Sequence, residues 1–190
     1  MSEFFQEDKE YKGVNFTETP LTKGAYENCT FKHCVFTSTN LSKFIFVECQ
    51  FIECDISMAI LFGATLQDIS FTGCKLMGLH FEHCSDLMFS VSFNKCDLKL
   101  SSFYQCSLKG TSFLDCKLQE TDFTESELKE SILSGCDLSG AIFAQTNLEG
   151  VDFRSSLNYS IDPQLNRIKK ARFSVDGVFG LLDKHDIIID

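Results

Sequence analysis

Every fifth residue from Tyr11 to Phe81 is large and apolar: Tyr11, Phe16, Leu21, Tyr26, Phe31, Phe36, Leu41, and so on without a gap. After a step of seven the period resumes at Met88 and holds through Phe93, Leu98, Phe103 and Leu108 as far as Phe153. An α-helix repeats its face about every 3.6 residues and a strand every second residue, so neither is the main element here. Two positions before each large residue the side chain is usually small or a thiol, as at Cys29, Cys34, Thr39, Cys49 and Cys54, with Phe44, Ile69 and Leu79 as bulkier exceptions. The other three positions of each five are mostly polar. Self-similarity at a fixed short period is the mark of a solenoid.

The segments Thr121-Asp122-Phe123, Cys136-Asp137-Leu138 and Val151-Asp152-Phe153 closely match A(N/D)LXX. In this the chain resembles the pentapeptide-repeat family, over residues 11–153. The resemblance implies an all-β fold, a right-handed quadrilateral β-helix with one pentapeptide per side and twenty residues per turn. Coils would stack at the β spacing of about 4.8 Å. Residues twenty apart would then form columns such as Phe103/Phe123/Phe143 and Leu98/Leu118/Leu138. About seven coils are expected, between an N-terminal cap over residues 1–10 that begins with Phe4 and Phe5 and a C-terminal segment over 158–190.

The pattern breaks twice. Between Phe81 and Met88, near residues 82–92, the frame slips by two, because Asp86 would otherwise fall at a buried centre. Residues 85–92 therefore form a bulge or small loop. It is either a tolerated insertion or a projecting contact made by Ser85, Asp86, Leu87, Met88 and Phe89, since loops on rigid scaffolds often carry recognition. The repeat fades at Asn158. Asp162-Pro163 reads as a helix start, Ile168 and Ala171-Arg172-Phe173 as a last degenerate pair of repeats, and Val175, Val178, Phe179 and Leu182 as a helical stripe. With Ile187, Ile188 and Ile189, a strand signal, this stripe is expected to cap the open coil and to form a homodimer interface, because it is more apolar than one coil end requires.

Composition narrows the function. No apolar run reaches the roughly 18 residues of a membrane span. Glu3, Glu7, Asp8 and Glu10 crowd the first residues, where a signal peptide would be basic and then apolar, so a cytoplasmic protein with reduced thiols is expected. The ten cysteines share the inward small position, whereas His33 and His83 fall two residues after a centre, where side chains leave the core. Thiol in and imidazole out cannot converge on zinc or make a nucleophile pair. A convex rod offers no closed pocket in which to tune its surface carboxylates. No catalytic residue, cofactor, metal, small-molecule substrate or membrane is therefore expected, and a net charge of −10 speaks against direct nucleic-acid binding.

That acidity can simply keep the rod soluble, or it can do more. Asp115, Glu120, Glu125 and Glu130 are equivalent residues of consecutive pentapeptides and ring one turn, with Asp97, Asp122, Glu127 and Asp137 beside them. In length, acidity, mid-rod interruption and its tail from Asn166 to Ser174, the chain is similar to the bacterial branch of the family that protects type II topoisomerase from quinolones or from albicidin- and peptide-type poisons. The resemblance implies a partial DNA mimic that binds gyrase or topoisomerase IV and dimerises through its C-terminal ends. The chain departs from the quinolone-resistance members in showing one short slip where they carry two projecting loops. The alternative is a cytoplasmic scaffold with an unidentified partner.

Overall fold

The protein is described here by a computed structural model covering residues 4–185 together with 187 and 188. The chain winds into a four-sided parallel coil whose sides are the predicted pentapeptides. Face one carries the centres Tyr11, Phe31, Phe51, Phe71, Phe93 and Phe113, continuing through Leu133, Phe153 and Phe173. Face two starts at Phe16, face three at Leu21, and face four at Gln6 and Tyr26. Strands β2 (Glu10–Lys12), β4 (Thr30–Lys32), β6 (Gln50–Ile52), β8 (Ile69–Thr72), β9 (Val91–Asn94), β10 (Ser112–Leu114) and β11 (Ile132–Ser134) form one parallel sheet along face one. On face four, β1 (Phe4–Glu7), β3 (Gly24–Glu27), β5 (Ile45–Val47) and β7 (Thr65–Gln67) form a second. Isolated parallel bridges, such as Asn40 with Ile60 and Asp97 with Lys117, continue the ladders on the other faces.

The period of five comes from the corners. The residue two after each centre adopts a left-handed conformation at nearly every side from Asp8 to Gly150. One such residue per side turns the chain through a right angle. Glycine takes this conformation without cost, and Gly63, Gly73, Gly78, Gly135 and Gly140 do so.

Like-on-like stacking fills the interior. Phe103, Phe123 and Phe143 lie parallel, with centroids 5.4 and 5.2 Å apart. On face one, Phe31, Phe51, Phe71, Phe93 and Phe113 make a similar column. Where the inward residue two before a centre is cysteine, serine or threonine, it is also a donor. Ser101 donates its hydroxyl to the Leu76 carbonyl at 2.8 Å, Thr146 to Phe123 at 2.8 Å, and the Cys54 and Cys74 thiols to Phe31 and Phe51 at 3.3 Å. Cysteine, serine and threonine alternate there because each satisfies the carbonyl of the coil below while fitting the core. All ten thiols are free and buried. Burial pushes Cys49 and Cys106 up to about 12 and Cys84 higher still.

The structure corrects several expectations. Met88 is not a core centre: it is left-handed and 65% exposed, and Phe89, half-buried against Phe81, takes the inward place. The two extra residues lengthen one coil, so Phe71 pairs with Phe93 while neighbouring coils keep a step of twenty, as Phe51 with Phe71. At the N-terminus Phe4–Glu7 is a strand of the face-four sheet, with Phe5 opposite Ala25, so these residues belong to the first coil and do not cover it. At the other end the ladder outlasts residue 157: Asn147 bridges Arg167, Asp152 bridges Arg172, and Phe173 stacks on Phe153 at 5.3 Å. The Asp162-Pro163 signal makes a single turn, in which the Asp162 carboxylate accepts from Gln164 N and its carbonyl from Asn166 N. The helical stripe becomes two short 3-10 helices, Val178–Leu181 and Asp183–His185. Ile187 and Ile188 are not in a strand, and Ile189 lies outside the described residues.

Candidate protein-interaction surface

The carboxylates singled out from the sequence fall into two groups. Asp115, Glu120, Glu125 and Glu130 occupy the four corners of one turn, all left-handed and exposed. They point in four directions, so they form a belt around the rod. Asp97, Asp122, Glu127 and Asp137 sit one before a centre and are half-buried. There each carboxylate caps the backbone N–H two residues on: Asp122 accepts from Thr124 at 2.8 Å, Asp137 from Ser139 at 3.2 Å, Glu127 from Lys129 at 3.3 Å and Asp97 from Lys99 at 3.4 Å. This is the physical reason for Asn or Asp in the repeat. The Ser139 hydroxyl, then the Asn158 amide, hold the Asp137 carboxyl down to about 2. These four side chains are largely engaged in holding the coil.

The longest acidic strip lies elsewhere, on the first coils of face four. The register sets Glu7 beside Glu27, while Asp8, Asn28, Glu48 and Asp68 follow one another at the same corner. Asn28 bridges to Asp8 at 2.6 Å, and among the described residues none of Glu7, Asp8, Glu27, Glu48 or Asp68 makes an ion pair. Contiguity along the chain hides this strip. Acidic residues near twenty apart reveal it once the turn length is known.

The interruption places Asp86, Leu87 and Met88 in solvent on the same face, with Ser85 receiving the Leu87 N–H at 3.3 Å. At the C-terminus the cap folds over the last coil. Gly177 and Gly180 pack so closely on Tyr159 that a Cβ at either would clash, and Ile161 N donates to Gly180 O at 2.8 Å. Lys184 pairs with Asp162. The cap leaves Val175 86% and Ile188 90% exposed, with Val178 and Phe179 also outward and Leu182 half-buried.

His33 and His83 stand at diagonally opposite corners, and among the described residues no three His, Cys, Asp or Glu side chains converge as a metal site. No helix among them is long and apolar enough to cross a membrane.

These features define a parallel β-solenoid with five-residue sides, a class of scaffold that presents side chains on flat faces. The family model for the pentapeptide repeat region matches residues 24–86 and 86–162, and the chain belongs to that family. No curated protein matches the sequence. Among solved structures the chain is similar to HetL, a pentapeptide-repeat protein involved in heterocyst differentiation regulation in the cyanobacterium Nostoc sp. strain PCC 7120. Identity is 17%, over 91% of this chain and 89% of that one, with a TM-score of 0.63. It is also similar to full-length QnrB1, a plasmid-mediated fluoroquinolone resistance protein, at 20% identity over 97% of this chain and 100% of that one, with a TM-score of 0.46.

Proposed function

We propose that this rod is a protein-binding module that partly mimics DNA, and that its partner is a bacterial type II topoisomerase, gyrase or topoisomerase IV, which it protects from a poison. The observation that carries the reading is the unpaired strip Glu7, Asp8, Glu27, Glu48 and Asp68 on face four. Three coil steps of about 4.8 Å give these carboxylates roughly one charge per 3 Å of axis. Duplex DNA carries one per about 1.7 Å, so the strip reaches about half that density along a straight, rigid line. A basic channel built for duplex would accept it, and Asp86, Leu87 and Met88 on the same face would add selectivity that charge alone lacks. The choice of topoisomerase rests on the likeness of the tail and the interruption to the gyrase-protecting branch. The exposed Val175 and Ile188 suit an end-to-end two-fold contact that would double the rod.

The test is gyrase supercoiling with and without a quinolone, an albicidin-type or a peptide poison. The protein should inhibit or protect, and the effect should fade as salt rises past physiological, where the Debye length is about 8 Å. Glu27→Lys, Glu48→Lys and Asp68→Lys together should abolish it with the melting temperature little changed. If the protein neither inhibits nor protects over a wide concentration range, the rod is a scaffold for another partner.

A further inference from the structure

Face three carries an apolar group that neither the core nor the acidic strip explains. On one coil Met58, Ile60 and Phe62 all face outward, Ile60 at 51% and Phe62 at 62% exposure. Two coils further on, Leu100 and Tyr104 do the same. Met58 and Leu100 stand at left-handed corners, φ 59° and 58°, where Gly or Asn would be less strained. The Met58 sulfur lies over Gly78 on the coil between, where a larger residue would displace it. Met58 therefore covers the notch in the column that leads to Leu100, while His80 and Glu82 lie between the two apolar rows elsewhere on the face; exposed apolar groups of this kind mark association.

The charges on the same face choose the occupant. One coil before the patch stands Lys43, and one coil after it stand Asp122 and Glu125. Lys43 and Glu125 occupy the same corner column, equally distant from the coil of His80 and Glu82.

We propose that face three binds a second copy of this chain, side by side and antiparallel, about a two-fold axis crossing the rods at the His80 coil. Such an axis reverses the order of coils but keeps each column in place. It sets Met58 against Leu100, Phe62 against Tyr104 and Lys43 against Glu125, each pair twice. At the axis, where Glu82 of one copy meets Glu82 of the other, the carboxylate is turned inward, only 18% exposed and held by His80 Nδ1 at 2.8 Å. Like charges do not confront each other there. A parallel pair would instead set Glu120 against Glu125 and Met58 against Gly63, which the charge pattern disfavours. The proposal does not depend on the topoisomerase reading, since face four stays open.

The test uses the full chain carrying Val175→Glu and Ile188→Glu, which places two charges on the apolar end. Sedimentation equilibrium at tens of micromolar should give twice the 21.5 kDa chain mass. Phe62→Glu should return it to monomer, and Lys43→Glu or Glu125→Lys should each weaken the dimer by about tenfold. Lys43→Glu and Glu125→Lys combined restore the pair with reversed polarity and should recover the dimer. All three substituted positions on this face are exposed or at corners, and circular dichroism checks that the coil persists. A monomeric starting protein overturns the proposal. So does a dimer indifferent to Phe62→Glu, or a combined variant no tighter than either single reversal.

Discussion

Truncating Phe123 to alanine tests whether the central residue of each pentapeptide holds the rod together. Phe123 is fully buried, stacked on Phe103 at 5.4 Å and on Phe143 at 5.2 Å, with its edge to Phe113 at 6.0 Å. Removing the ring forfeits about 2–3 kcal/mol of burial. It also breaks two stacked contacts and leaves a cavity that the rigid coils above and below cannot close. The expected loss is about 3–5 kcal/mol. For a chain of this length that lowers the melting temperature by about 10 °C. The assay is urea and thermal unfolding followed by far-UV circular dichroism, with Leu114→Ala, an exposed leucine one residue after the neighbouring centre Phe113, as control. Leu114→Ala should stay within about 1 kcal/mol of the parent. A Phe123→Ala loss below about 1 kcal/mol, or one equal to the control, would show that the stacked column is not what stabilises the coil.

Other outcomes are equally open to measurement. Ellman titration of the native protein should find no fast thiol, since all ten are buried and Cys49 and Cys106 are held up at about 12; several fast thiols would refute the inward assignment. Val175→Glu with Ile188→Glu should lower the mass of any end-to-end assembly seen by sedimentation, and an unchanged mass places that contact elsewhere. Asp137 has its folded pKa depressed to about 2, so its contribution is present above the unfolded value near 3.8 and is lost as pH falls through about 2. Asp137→Asn should therefore narrow the stability gap between pH 6 and pH 2.5, by about 1 kcal/mol once solvent screening is allowed for. An identical acid dependence in both proteins would contradict the hydrogen-bond network drawn around that carboxyl.

The sequence alone determined the repeat, because a buried centre takes a large apolar residue and its inward neighbour is mostly a small one. Each pentapeptide therefore states its own orientation, and the positions of Phe123, Cys136 and the exposed corner at Glu120 followed from local spacing. Local pattern could not decide what depends on neighbours a full turn away. Met88 matches the period as well as any centre, yet it points outward and Phe89 turns in against Phe81, a choice set by neighbours on the adjoining coils rather than by local spacing. Asn158 and Asp162 look like the end of the repeat. The bridges from Asn147 to Arg167 and Asp152 to Arg172 continue because the preceding coil supplies a template that weak sequence can follow. The same is true of function-bearing surface. Asp122 and Asp137 read as free charge in the sequence but are bound to the backbone, whereas Glu7, Glu27, Glu48 and Asp68, scattered along the chain, become one strip. A face of this solenoid is assembled from residues twenty apart, so its chemistry exists only after the coils have stacked.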